Sequence, residues 1–251
     1  MSENRSIVLT IAGFDPSAGA GVLADVKTFE QHRVYGFAIN TGNTIQTDNE
    51  FFEMQWTDLA FVLKSLEKLF DNYPIKAVKI GIVPSLDYLK QIVFTLKKIS
   101  PETKIVWDTV LKSSTEFDFL SITNQTALIE ILKKIDLITP NYNEILQLSS
   151  KGINSKTAVI KLSKYCPVLL KGGHNPDEIG IDNLYTQNEL YKLLPKTNKC
   201  YEKHGSGCVL SSAITANLAL GQNLKMACEN AKTYTENYLL SNSTKLGFHH
   251  V

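Results

Sequence analysis

Short runs of consecutive apolar residues alternate along this chain with longer stretches in which apolar residues recur at helical spacing. A short run suits a strand buried on both faces, and the longer spacing suits a helix with one buried stripe. SIVLTIAG reads as the first strand, and the stretch from Gly19 to Arg33 follows it as a helix. GFAINTGN is the next strand. In TDLAFVLKSLEKLF the apolar residues fall at 59, 62, 63, 66, 69 and 70, a single helix face with Thr57 as the expected cap. KAVKIGI is a strand, and Ser85 then caps a helix whose stripe runs from Leu89 to Ile99 until Pro101 stops it. KIVWD, DLITPN and PVLLKGG repeat the strand signal, separated by helices at ALIEILKKI, at NEILQL and in the stretch after it. DNLYT and ELYKLLP read as a hairpin, and two helices between Ser206 and Leu240 complete the pattern.

Strand–helix alternation of this kind predicts a mostly parallel sheet covered on both faces. FFEMQW, residues 51–56, reads as core or dimer contact. The irregular stretch from Ser113 to Asn124 is expected to be a mobile loop, and the tail STKLGFHHV to lie on the surface. With no internal repeat, low-complexity tract or Pro/Gly-rich linker, residues 1–251 are expected to form one domain.

Composition narrows the class. The 26 Lys and Arg balance 25 Asp and Glu, leaving no electrostatic case for nucleic acid or an anionic membrane. No apolar run reaches the length needed to cross a bilayer, and the first residues do not read as a secretory signal. The four cysteines, Cys166, Cys200, Cys208 and Cys228, lack CxxC spacing, which suits a reducing cytoplasm and argues against a zinc knuckle.

Polar residues and glycines gather at the strand ends. After the first strand come Gly13, Asp15 and the GAG of residues 19–21; after the second, Asn43 and Gln46; after the third, Gly81; after the fourth, Asp108. Asn141 follows ITP, and Lys171 with Gly172 and Gly173 follows VLL. In an open parallel sheet these ends share the carboxyl edge, where ligands bind. KHGSGCVLSS adds a helix start. Gly205 and Gly207 let the backbone turn N–H groups toward one point, and the helix field adds positive potential there, the makings of a phosphate site. A thiol at Cys208 on the first turn is then expected to be drawn toward thiolate, as a base or nucleophile. Taken alone, GSGC reads more readily as a plain cap over a buried cysteine; the strand-end residues reverse that preference in favour of an anion site.

Other readings stay weaker. No Walker loop occurs. GAGVLA matches a G-x-G-x-x-A dinucleotide fingerprint, but six residues separate it from the strand, and INTGN stands where a ribose-binding acid belongs. Taken alone, Asp25 reads as a solvated first-turn acid, Glu144 as a helix-surface carboxylate, Gln46 as a loop side chain, and His174 and His204 as turn residues. Lys171, directly after a buried strand, must face solvent or an anion.

The order TIAGFDPSAGAGVLADVKTF, TGNTIQT, KIGI, ITPNYNEI, VLLKGGH and HGSGCVLSSAITANLALG resembles the hydroxymethylpyrimidine and phosphomethylpyrimidine kinases of thiamine biosynthesis, members of the ribokinase-like superfamily. The likeness runs from Leu9 to about Tyr238. It implies a three-layer αβα sandwich, a homodimer, and Mg2+-dependent transfer from ATP to a small-molecule pyrimidine. It also implies that Gly205, Ser206 and Gly207 form an anion hole with Cys208 as the catalytic residue. Gln46, Asp25 and Gly13 then fall near the substrate, Lys171, Asn141 and Asp108 near the nucleotide, and Glu144 near the metal. GFD, VLAD, DTVLKSSTEF and KIGI depart from the family's GSD, IQAD, DPVMVA and KTGM, which puts the substrate in question more than the reaction. Pyridoxal or pyridoxine kinase is the nearest alternative, and a non-catalytic ligand-binding member the next.

Overall fold

The computed structural model describes residues 5–112, 117–149, 152–175, 178–197 and 199–249. Among the described residues nine strands form one sheet: β1 (Ile7–Phe14), β2 (Tyr35–Gln46), β3 (Phe51–Trp56), β4 (Ile75–Ile80), β5 (Lys104–Trp107), β6 (Leu137–Ile138), β7 (Val168–Leu170), β8 (Asp182–Tyr185) and β9 (Leu190–Leu193). Their order is β3-β2-β1-β4-β5-β6-β7-β8-β9. From β2 through β7 neighbours run parallel, while β3 at one edge and the β8–β9 hairpin at the other are antiparallel.

Side-chain alternation sorts the core into two layers. Leu9, Ile11, Ile105, Trp107, Ile138, Val168 and Leu170 face α2 (Leu59–Asn72), α3 (Leu86–Ile99), α4 (Gln125–Leu132), α5 (Tyr142–Gln147) and α6 (Ser155–Leu162). Their strand neighbours Val8, Val106, Leu137 and Leu169 face the other way, toward α1 (Gly21–Gln31), α7 (Ser206–Ala219) and α8 (Leu224–Leu240). Burial on both faces is why these strands read as continuous apolar runs. The αβα sandwich expected from the sequence is therefore the fold observed.

Details differ where local pattern was ambiguous. Asp58, not Thr57, caps α2, its carboxylate accepting from the Phe61 N–H at 3.2 Å. FFEMQW is the half-exposed edge strand β3 rather than buried core. Of the stretch expected to be a loop, residues 113–116 lie outside the described residues. Phe117 and Phe119 beyond them close onto β3, with Phe117 stacked on Phe51 at 4.5 Å between ring centroids. The tail does run along the surface, yet it supports the start of α7: Lys203 Nζ donates to the carbonyls of Asn242 and Thr244, the latter at 2.6 Å, and the His204 N–H donates to the Lys245 carbonyl at 2.9 Å.

Candidate active site

The carboxyl ends of β1, β2, β4, β5 and β7 open into a cleft of about 700 Å³ whose walls include Gly13, Gln46, Gly81, Asp108, Asn141 and Lys171. The start of α7, Gly205 to Cys208, forms another part of the wall. Because β2 and β8 lie on opposite sides of the sheet centre, Gln46 and Asp182 mark opposite ends of the cleft. The α7 start lies between them.

Two helices open onto this cleft without a side-chain cap. Asp58, Ser85, Asn124, Asn141, Asn154 and Asn223 each cap α2, α3, α4, α5, α6 and α8 with a side-chain oxygen, whereas α1 and α7 have none. Their first-turn N–H groups are thus left for another acceptor. The two starts touch. Gly205 holds φ 75°, and a Cβ there would fall 2.0 Å from the Gly19 carbonyl oxygen and 2.7 Å from Ala20 Cα. Gly21 holds φ 60°, and a Cβ there would fall 2.2 Å from the Gly13 carbonyl oxygen. Only glycine satisfies both the left-handed backbone and the close approach.

A charged group flanks the α7 start. Lys171 Nζ lies 3.2 Å from Asp108 Oδ1 and 3.7 Å from Glu144 Oε2. A Cβ at Gly207 would stand 3.4 Å from the same nitrogen. Asp108 is fully buried and also accepts from Thr139 at 3.0 Å and Ser211 at 3.1 Å. Burial opposes its ionisation, but Lys171 and Lys79 hold the carboxyl below the usual aspartate range. Burial dominates at Glu144 and pushes its carboxyl up, with Lys171 acting against that. Glu144 Oε2 accepts from the Asn141 N–H at 2.7 Å and from Thr109 at 3.3 Å, completing a capping box in which Asn141 Oδ1 binds the N–H groups of Asn143 and Glu144. Asn141 is therefore committed through its oxygen to shaping the loop. Glu144 Oε1 takes no hydrogen bond from any described residue.

Two expectations need correction. Asp25 is neither solvated nor on the cleft wall. It is completely buried beneath the floor, where its oxygens accept from Lys79 at 2.8 and 2.9 Å, Thr10 at 2.6 Å and Ser212 at 2.6 Å. Nor does the helix start make Cys208 a ready thiolate: burial pushes the thiol up to about 11, with the acids Asp25 and Asp108 adding to burial and Lys79 opposing it.

Two further features shape the site. KAVKIGI places Lys79, fully buried, inside an apolar strand, and a charge there requires a buried partner, which could have pointed to Asp25. His204, taken as a turn residue, has Nε2 2.8 Å from Asp15 Oδ2 and ties the loop before α1 to the loop before α7. Asp15 also accepts from the N–H groups of Ser17 and Ala20; burial works against its ionisation, but His204 and Ser17 keep its carboxyl below the ordinary range.

The chain has counterparts among known proteins. A profile of the phosphomethylpyrimidine kinase family matches residues 15–251. A hydroxymethylpyrimidine/phosphomethylpyrimidine kinase of Aquifex aeolicus (strain VF5) is 34% identical over 248 residues, covering 96% of each chain. The crystal structure of a phosphomethylpyrimidine kinase from Clostridium difficile 630 superposes with a TM-score of 0.76 at 32% identity, over 92% of this chain and 98% of that one. A pyridoxal kinase from Staphylococcus aureus in complex with ADP superposes with a TM-score of 0.82 at 27% identity, over 98% of this chain and 93% of that one. By sequence and by fold, the chain belongs to the phosphomethylpyrimidine kinase family and is a phosphotransferase.

Proposed function

We propose that this chain transfers the terminal phosphoryl group of ATP to hydroxymethylpyrimidine, to its monophosphate, or to both in turn, in thiamine biosynthesis. One observation carries the reading: two uncapped helix starts meet in the cleft beside the Lys171 cation. Free N–H donors and a fixed cation are what a phosphoryl group in transfer requires, because that reaction depends mainly on positioned charge.

Under this reading the N–H groups at Gly205, Ser206 and Gly207 receive the transferred phosphoryl group. Lys171 supplies the cation beside the nucleotide phosphates, Asp108 anchors it, and Asn141 shapes the loop around them. Gly13 and Gln46, on the β1–β2 side, receive the aminopyrimidine. Asp25 acts from beneath the floor rather than by contact. Cys208, in its thiolate form, takes the proton of the attacking hydroxyl, a role worth about 10²–10⁴ in rate, with Lys79 opposing the burial that keeps the thiol protonated.

The donor set fits magnesium. Mg2+ commonly uses one or two protein carboxylates plus substrate phosphates and water, and Glu144 Oε1 is an uncommitted carboxylate oxygen on the cleft wall. Bound with the nucleotide, Mg2+ neutralises charge on the phosphate oxygens, and Glu144 would hold it directly or through its waters. One continuous sheet through all nine strands supports treating the chain as a single kinase domain. A cytoplasmic homodimer completes the proposal, with Ile45 and Phe52 exposed on the edge hairpin as its apolar face; light scattering tests the dimer.

Purified protein with Mg-ATP and each of hydroxymethylpyrimidine, its monophosphate and pyridoxal tests the substrate. Phosphorylated pyrimidine with ADP release is the expected result. Turnover of pyridoxal alone would move the assignment to pyridoxal kinase, and ligand binding without ADP release would make the chain a binding protein.

A further inference from the structure

We propose that Lys79, with Asp25 as its counter-charge, is the positioning residue that sets the charge state of the Cys208 sulfur from the cleft floor. The geometry starts on α7. Ser212 lies four residues after Cys208, on the same helix face, and its hydroxyl donates to Asp25 Oδ1 at 2.6 Å. Ser211, three residues after Cys208, donates to Asp108 Oδ2 at 3.1 Å. One turn along from the sulfur, α7 is thus fastened to two buried acids.

Asp25 is held from four elements: its own α1, Thr10 on β1, Lys79 on β4 and Ser212 on α7. Lys79 gives Asp25 one proton for each carboxylate oxygen, at 2.9 and 2.8 Å. An ammonium has three. Lys79 also lines the cleft alongside Cys208, and a Cβ at Gly81 would stand 3.3 Å from its nitrogen. The charged groups around the sulfur are Lys79 from β4, Asp25 from α1, Asp108 from the end of β5 and Lys171 from the end of β7, with the titratable Tyr238 phenol on α8. Lys171 is already engaged by Asp108 and Glu144. Lys171 thus faces two acids and Lys79 one, Asp25, so Lys79 keeps the larger share of its field for the thiol, and burial keeps that field from being screened.

Two opposite charges locked together act on the sulfur in opposite directions. A purely structural ion pair gives no such signature. In a Cys200→Ser background, which removes the exposed thiol, iodoacetamide alkylation of Cys208 is followed by mass spectrometry from neutral to alkaline pH. The thiolate displaces iodide and forms the carbon–sulfur bond, so the rate reports the thiolate fraction. Lys79→Met should move the alkylation midpoint upward by at least about one pH unit, and Asp25→Asn should move it downward by a similar amount. Lys79→Arg, which keeps the charge, should leave it in place. Midpoints that move in the same direction, or do not move, overturn the proposal.

If Lys79→Met fails to fold, Asp25→Asn decides alone: a fall supports the proposal, and a rise or no change refutes it. Only the consequence for catalysis rests on Cys208 being the base. If the alkylation midpoints diverge but the pH profile of kcat does not follow them, this electrostatic assignment stands and the base role fails.

Discussion

Replacing Gly205 by alanine tests how far the two helix starts depend on their contact. The new Cβ would lie 2.0 Å from the Gly19 carbonyl oxygen and 2.7 Å from both Gly19 C and Ala20 Cα, all main-chain atoms that cannot rotate aside. Carbon contacts are normally about 3.5–4.0 Å, so the α1 and α7 starts must separate by roughly 1 Å. Holding alanine at φ 75° adds about 1–2 kcal/mol, and forced repacking adds about 1–3 kcal/mol. The sum, about 2–5 kcal/mol, lowers Tm by on the order of 10 °C in a chain of this length. The larger effect is on turnover. A misplacement of about 1 Å between donors and the reacting group costs about 10²-fold in kcat. Coupled detection of ADP release gives kcat, and circular dichroism gives Tm. A Gly205→Ala protein with wild-type kcat would show that the contact between the helix starts does not set the anion site.

Cys208→Ala should lower kcat by about 10²–10⁴-fold while leaving nucleotide affinity nearly unchanged, measured by turnover and by calorimetric titration with ADP. Lys171→Met leaves the buried Asp108 carboxylate without its cation and should cost about 3–5 kcal/mol of stability, with a raised KM for ATP, read by urea unfolding and initial rates. Because the folded Asp108 carboxyl titrates below its unfolded value of about 3.9, it contributes stability above that pH, and the contribution fades as pH falls through the depressed folded value. Asp108→Asn should therefore flatten the acid limb of the Tm–pH curve in calorimetry. Gln46→Ala should raise KM for the pyrimidine with little change in KM for ATP, separated by varying each substrate in turn.

The sheet was legible because each buried parallel strand announces itself as an apolar run that ends on a glycine or polar residue. Gly13, Gln46, Gly81, Asp108, Asn141 and Lys171 could be gathered to one edge on that ground alone, and they share one cleft. β3 was missed because FFEMQW is half exposed at a sheet edge, where alternation is weak and aromatic side chains face solvent as well as neighbours. The stripe expected of α7 is blurred for the opposite reason: from Val209 to Asn217 it is buried all round, so small polar residues such as Ser211 and Ser212 sit inside it. Asp25 was placed on the cleft because its partner lies 54 residues away, beyond any local pattern. The field at Cys208 can be inferred from spacing, whereas the burial that opposes it depends on packing from other elements and has no local sequence pattern.

The Ser212–Asp25 hydrogen bond spans 187 positions of chain. During ribosomal synthesis Asp25 and Lys79 emerge early and can pair with each other, but the hydroxyl that completes their shell arrives only with α7. Closing so long a loop costs more entropy than closing the local turns, and this contact cannot form before α7 has been synthesised. The nascent polypeptide therefore passes through an interval in which Asp25 and Lys79 have been synthesised but the helix that completes the anion pocket has not. Nucleotide can stabilise only the finished molecule, which makes ligand protection against proteolysis a direct reporter of the last folding step.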